Sequence, residues 1–473
     1  MFQWLVLWRS VWALLSQTWY VPDETWQSVE VAHRAVWGQG HLTWESELAI
    51  RSSLLSLPYI LLFKVLSLLH LDYQMLVVMT PRLMAGLVTA CGDWSLYRLV
   101  TVREGRKVAA WLLLLTQTNW FLLYSGSRTL VNTTETSLLS LGLYLYPRPS
   151  FLLVVALSVM MRPTIAVAWA PLLLQYSFSL LRQGKVGRLV RNCLAPLGLL
   201  GLLVLLDSLF YGRLVVTPYN FFRVNILHNL GSFYGENPWY WYLTHCLVPV
   251  LGPLLLLLPL SLGSSWSSEP DMIKWPSLTS LCFLSCLSHK EMRFLQPVLP
   301  LLLYSAARQL ARWLRPSSSC LVTALSLNLP LALYLSLLHQ RGVVDTAVWL
   351  GRQSHISSVI FLTPCHSAPL YSHAHNAHIT LDYLTCLPSL AGEEEGEGEV
   401  EEEYLDEAEI FYRDPAQLLR EKYSGYQCVV IFDVLKPRLH LVLAEKGYSL
   451  ENTFFHSHLP EGRIGGSVLV FCR

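Results

Sequence analysis

Two adjacent carboxylates, Asp23 and Glu24, follow Pro22 in the stretch WYVPDETWQSVEVAHRAVWGQGHLTWE, directly after the first apolar segment of the chain. A carboxylate at a membrane surface is partly desolvated and within reach of a lipid-borne hydroxyl, so it can serve as a general base. The same pair also suits a helix start with Asp23 as N-cap, and the two roles are compatible. Behind it, VxxAHxxVW has the spacing of an amphipathic helix, and Trp26, Trp37 and Trp44 suit one lying in the membrane interface. A second cluster, SHKEMRF at 288–294, sets His289, Lys290, Glu291 and Arg293 between two apolar stretches. Lys290 and Arg293 have the spacing of one helical face. They suit a phosphate, the arginine as a bidentate fork and the lysine as a point charge. The plainer alternative is a topogenic flank in which Glu291 offsets one charge.

A third cluster, SRTLVNTTET at 127–136, places Arg128, Asn132 and Glu135 among small polar residues between apolar spans. It reads either as a lined cavity or as a polar network between helices. Asn132 opens a formal glycosylation sequon, which would go unused against the membrane. Arg82 and Arg162 each adjoin a proline and either face the same cavity or snorkel to the surface. Asp93 and Asp207 are further charges inside apolar segments, where charge is costly. His366, His373, His375 and His378 crowd the segment PCHSAPLYSHAHNAH beside Cys365, but with irregular spacing and no second ligand cluster, so no metal site is expected. The ten cysteines contain no CxxC pair; a disulfide among Cys365, Cys386, Cys428 and Cys472 competes with free buried thiols.

The elements that must position these residues are mostly membrane helices. Of the 473 residues 53% are hydrophobic and only 14% charged, which excludes a disordered chain and disfavours a soluble globule. The net charge of +1 supplies no field for nucleic acid, so none is expected as a partner. Long apolar runs fall within 1–345: 2–19, 52–70, 74–92, 108–126, 136–161, 164–181, 193–210, 243–262, 275–287, 294–307 and 319–338. Pro149 and Arg148 interrupt one of them, and about 9 to 12 crossings follow. The first segment lacks a small-residue cleavage site and reads as a retained anchor. The acidic 20–51 loop reads as non-cytoplasmic and the basic loops 101–107, 182–191 and 308–315 as cytoplasmic. Two apolar runs separate the first of these loops from the second, although opposite sides require an odd number, so one run is re-entrant or the charge rule fails there.

Residues 346–473 read as a small soluble α/β domain. Its strand-like runs are 357–362, 427–435 and 467–472, and the Glu-rich run 393–403 reads as a solvated loop. The expected fold class is thus mainly α: a polytopic membrane bundle (1–345, with first loop 20–51) plus a C-terminal soluble domain (346–473).

VPDExWQSxEVAH, RTLxNTxET, an RP pair in a membrane segment and SHKExRF occur in this order. Together they resemble the lipid-sugar-dependent mannosyltransferases of glycosylphosphatidylinositol (GPI) and N-glycan assembly, glycosyltransferase family 22 of the GT-C superfamily. NFFRVNILHNLGSFYGENPWYWY, LHQRGVVD, TPCHSAPLYSHAH, YLDEAEIFY and HSHLPEGRIG are similar to the branch that adds the third GPI mannose. The resemblance implies a GT-C-type bundle in the endoplasmic reticulum membrane, with the 20–51 loop and C-terminal domain lumenal. It implies inverting transfer from dolichyl-phosphate-mannose to a two-mannose GPI precursor, giving an α-1,2 linkage. One carboxylate suffices for a single displacement: Asp23 as base, Glu24 orienting it or the acceptor. His289, Lys290 and Arg293 would meet the leaving phosphate, with Glu291, Arg128, Asn132, Glu135, Arg162 and Arg82 in supporting places. No cofactor and no metal are expected, and the partners are lipid substrates and the membrane. The alternatives are a family member acting on the fourth GPI mannose or a dolichol-linked N-glycan, a non-catalytic membrane subunit, and a lipid transporter.

Overall fold

The computed structural model describes residues 1–259, 273–388 and 405–473, so the Glu-rich run 393–403 lies outside the described residues. The chain forms two compact units: Met1–Ser16, Glu45–Pro58 and Pro81–Leu333 make one, and Gln17–Trp44, Tyr59–Thr80 and Tyr334–Arg473 make the other.

The first unit is helical. Val131–Leu145 packs on Phe151–Met161, Ala166–Arg182 on Lys274–Cys286, and Arg106–Thr118 on Leu299–Trp313. The run 136–161 is indeed broken, by the turn at 146–150 that carries Pro147, Arg148 and Pro149. Close approach of two helices depends on Gly142, where any Cβ would meet the Trp169 ring. Helix Val186–Tyr211 inverts the pattern of a soluble helix: Leu194, Leu197 and Leu209 are exposed while Asp207 is fully buried. Lipid in place of water is the solvent that makes this arrangement favourable.

Among the described residues, five helical stretches are long and apolar enough to cross a bilayer: Gln74–Glu104, Pro163–Arg182, Val186–Tyr211, Tyr242–Pro259 and Ser319–Leu350. Leu57–Leu68 has 12 residues. At ~1.5 Å per residue it reaches about 18 Å, short of the roughly 30 Å hydrocarbon core.

The buried charges of this unit are held by protein partners. Arg9 donates from Nε to Asp93 Oδ2 at 2.8 Å and from Nη1 to the Leu122 carbonyl at 2.8 Å. Asp207 accepts from Ser52 Oγ (2.9 Å), Ser53 N (2.8 Å), Ser53 Oγ (2.7 Å) and Thr217 Oγ1 (2.7 Å). A carboxylate saturated in this way fixes a chain crossing instead of marking a transport path.

The second unit is built on a five-stranded sheet: β1 Ser358–Phe361, β2 Thr380–Tyr383, β3 Cys428–Phe432, β4 Ser449–Phe455 and β5 Ser467–Cys472, in the order β2-β1-β3-β5-β4. β1 runs parallel to β2 and β3; β5 runs antiparallel to β3 and β4. Side chains alternate across the sheet. On β3, Cys428, Val430 and Phe432 enter one core, and Val429 and Ile431 the other. Both faces are covered, which is why this strand is apolar at every position. The first core also takes Trp19 and Trp26, so the segment after the first apolar helix packs on the sheet. Two disulfides form here, Cys365–Cys386 and Cys428–Cys472, the latter joining residues directly opposite in the β3–β5 register.

Candidate active site

Asp23 and Glu24 sit in a 3-10 turn, Pro22–Glu24, that proline opens. The following helix begins only at Val29, with Ser28 at its N-cap, so Asp23 does not cap it. The turn separates the two carboxylates: Glu24 is 1% exposed and acts electrostatically on Tyr59, while Asp23 is half-buried and acts on His366.

Residues Val29–Trp37 form a helix as their spacing predicts, but burial takes in all of Val29–His33 instead of one face, and the helix packs against Tyr371–Ala374 of the same unit. This changes the reading of Trp26, expected at the membrane interface. It is 2% exposed within the sheet core and donates its Nε1–H to the Ala368 carbonyl at 3.0 Å. Glu30 accepts from the backbone N–H groups of Tyr371 and Ser372, both at 3.0 Å. Burial raises the Glu30 pKa despite these hydrogen bonds. His33 Nε2 meets His375 Nδ1 at 2.9 Å, and His375 Nε2 meets the Asp72 carbonyl at 2.8 Å.

Of the C-terminal residues, His366 comes within electrostatic reach of Asp23. His366 stands edge-on to Trp26 with centroids 4.5 Å apart, Tyr383 lies 4.7 Å from Trp26, and His41 lies 5.0 Å from Tyr383. Burial lowers the His366 pKa to about 4, against the opposing pull of Asp23, so the ring is neutral at neutral pH. His41, His366 and Tyr383 went unread as a group because His41 lies more than 300 residues before the other two; only the unusual density of His and aromatic residues in both segments signalled them. Cys365 is bonded to Cys386, so it is no thiolate ligand, and no three His, Cys, Asp or Glu side chains among the described residues group as a metal set.

The helical unit gathers the other motifs. The segment 288–291 is irregular, with Glu291 extended at φ −133° and ψ 152°, so Lys290 and Arg293 do not share a helical face as their spacing suggests. Glu291 instead binds Arg293 through two hydrogen bonds, 2.7 Å from Nε and 2.6 Å from Nη2, and meets His289 Nε2 at 3.1 Å. Burial opposes ionisation of Glu291, but Arg293 and His289 outweigh it and hold the carboxyl below its ordinary range. Burial lowers the His289 pKa, yet Glu291 and the Gly235 carbonyl raise it by more. Lys290 is 4% exposed and donates to the carbonyls of Asn237 (2.8 Å) and Leu287.

Arg162 bridges this segment to the third motif: it lies over the Phe294 ring at 4.6 Å and pairs with Glu135 at 3.8 Å. Asn132 reaches Glu135 at 3.4 Å and is fully buried, which puts its sequon out of reach of glycosylation. A cavity in the helical unit is lined by Glu135, Arg162, Thr164 and Phe294. Arg128 and Arg82 do not line it. Arg128 is fully buried, stacked 4.2 Å over Tyr124, and donates to the Tyr124 carbonyl at 3.0 Å; Arg82 donates to the Ser16 carbonyl at the end of helix Phe2–Leu15.

A membrane helical bundle carrying a small sheet domain is the GT-C architecture of polytopic glycosyltransferases. ArnT from Cupriavidus metallidurans bound to undecaprenyl phosphate matches with a TM-score of 0.58 and 12% identity, over 99% of this chain and 98% of that one, and so shares the fold. The profile of the Alg9-like mannosyltransferase family matches residues 1–375. GPI alpha-1,2-mannosyltransferase 3 of Danio rerio is 37% identical over 494 residues, covering 99% of this chain and 89% of its own length. GPI mannosyltransferase 3 of Drosophila melanogaster is 38% identical over 483 residues, covering 95% and 82%. The chain therefore belongs to the Alg9-like mannosyltransferase family, glycosyltransferase family 22, and is a multi-pass membrane enzyme working on lipid-linked substrates.

Proposed function

We propose that this enzyme transfers mannose from dolichyl-phosphate-mannose to a GPI precursor bearing two mannoses, forming the third, α-1,2-linked mannose with inversion. The observation that carries this reading is the near-full-length similarity to GPI alpha-1,2-mannosyltransferase 3 of Danio rerio. Asp23, the more accessible of the two adjacent carboxylates, takes the proton from the acceptor hydroxyl as the bond to the dolichyl phosphate breaks. Glu24, buried beside it, holds the turn and orients the base. The leaving phosphate is met by the segment His289–Arg293, whose two cations, Lys290 and Arg293, outnumber its single carboxylate, Glu291. Glu135, Arg162 and Asn132 support that segment through Phe294. These fixed cations do a metal's work, so EDTA leaves the rate unchanged; a rate restored only by added divalent metal refutes that part.

The lumenal side of the endoplasmic reticulum suits the catalytic loop and the sheet domain, because the two disulfides of that domain need an oxidising compartment. The test is mannose labelling of glycolipids in cells lacking the third-mannose step. The expected result is conversion of two-mannose lipids by wild type and at least about 100-fold slower conversion by Asp23→Asn at equal abundance. Normal activity of Asp23→Asn moves the base to Glu24. A wild type that leaves the two-mannose lipid untouched removes the acceptor assignment.

A further inference from the structure

Four aromatic rings cluster in the sheet unit, and one of them, His366, is within electrostatic reach of Asp23. Trp26 forms a buried floor, and His41, His366 and Tyr383 are half-buried around it. The rings support one another: His366 and Tyr383 centroids lie 5.3 Å apart, His41 and Tyr383 5.0 Å, and Trp26 and His41 6.4 Å. His41 Nε2–H donates to the Leu381 carbonyl at 2.6 Å, which fixes the orientation of the ring. His366 sits at φ 52°, a left-handed conformation that is uncommon outside glycine. Cys365, bonded to Cys386, pins the backbone next to it.

This chemistry selects its ligand. Two imidazoles, a phenol and an indole include no lysine or arginine to hold a phosphate. They are too polar for an acyl chain. A sugar ring needs both properties present here: hydroxyl edges that pair with groups able to donate and accept, and a C–H face that packs on aromatic rings. We propose that His41, His366 and Tyr383, over the Trp26 floor, form the subsite that grips the terminal sugar of the acceptor and presents its hydroxyl to Asp23. This rests on the acceptor-side role given to Asp23 above and adds the residues that recognise the glycan.

The test uses the full chain in detergent with dolichyl-phosphate-mannose, the two-mannose GPI lipid, and a soluble two-mannose methyl glycoside as probe. In His366→Ala and Tyr383→Ala the KM for the GPI lipid rises roughly tenfold or more, the scale of one lost polar or stacking contact. The KM for dolichyl-phosphate-mannose stays within about twofold, and His366→Asn, which keeps a donor and an acceptor, recovers part of the loss. Saturation-transfer NMR detects the glycoside on wild type and loses it on the alanine variants. Intact disulfides and an unshifted Tm show that the variants are folded; if an alanine variant is not, Tyr383→Phe and His366→Asn are compared instead, with smaller shifts in the same direction. An unchanged acceptor KM and an unchanged glycoside signal in folded variants overturn the subsite. A wild type that never uses the GPI lipid overturns the acceptor assignment instead, and the glycoside signal, kept or lost in His366→Ala, still decides the subsite.

Discussion

At the scale of single residues, what matters is which polar groups are spoken for. Glu30 is an anchor: it is 1% exposed, and two backbone N–H groups of the 371–372 turn end on its carboxylate. Glu30→Ala leaves both donors buried without acceptors, at a cost of about 2–3 kcal/mol. Thermal unfolding of the variant reads this directly, and a wild-type Tm shows that the turn is held by other means. The motif residues of the helical unit follow the same logic. Arg293 is balanced by Glu291, and Lys290 by two carbonyls. The type and spacing of these charges were legible in sequence, but their partners were not. A run of ionisable residues does not say whether the backbone between them is helical, and here Glu291 is extended.

At the scale of elements, the lengths of two helices remove the conflict in the charge pattern. Leu57–Leu68 is too short to cross, while Gln74–Glu104, 31 residues long, spans about 46 Å at ~1.5 Å per residue. A single crossing then lies between the acidic first loop and the basic turn at 103–107, which restores the odd count. In a background lacking the unpaired cysteines, a cysteine at Tyr73 is expected to react with an impermeant thiol reagent from the same side as one at Gln39, and one at Arg106 from the opposite side. Reaction of Tyr73 with the Arg106 side shows that Leu57–Leu68 crosses. Strands β1, β3 and β5 were legible as apolar runs because they are buried on both faces. β2 and β4 lie at the sheet edges, are shorter or mixed in polarity, and leave no such trace.

At the scale of the whole molecule, the sheet unit has its own stability and pH response. Loss of the Cys428–Cys472 bridge in the double serine variant costs about 2–4 kcal/mol, read as a lower Tm. His366 and His456 are both lowered to about 4 by burial. Between the unfolded value near 6.5 and about 4, the unfolded chain takes up protons that the folded chain refuses. Their contribution to stability is complete above about pH 6.5 and is lost as the pH falls toward 4. The Tm is therefore lower at pH 5 than at pH 7, and His456→Gln shrinks the difference; an equal or higher Tm at pH 5 refutes this.

Sequence alone determined the membrane character and the family, because low charge, long apolar runs and short ordered strings of Asp, Glu, Lys and Arg are local signals. Tertiary structure decided which distant segments meet. Trp19 and Trp26 complete the core of a sheet whose strands begin more than 300 residues later. His366 comes within electrostatic reach of Asp23, and Tyr383 packs with it against Trp26. Such meetings are set by burying apolar surface over long loop closures, and hydrophobic burial is non-directional, so nothing in either segment by itself names its partner.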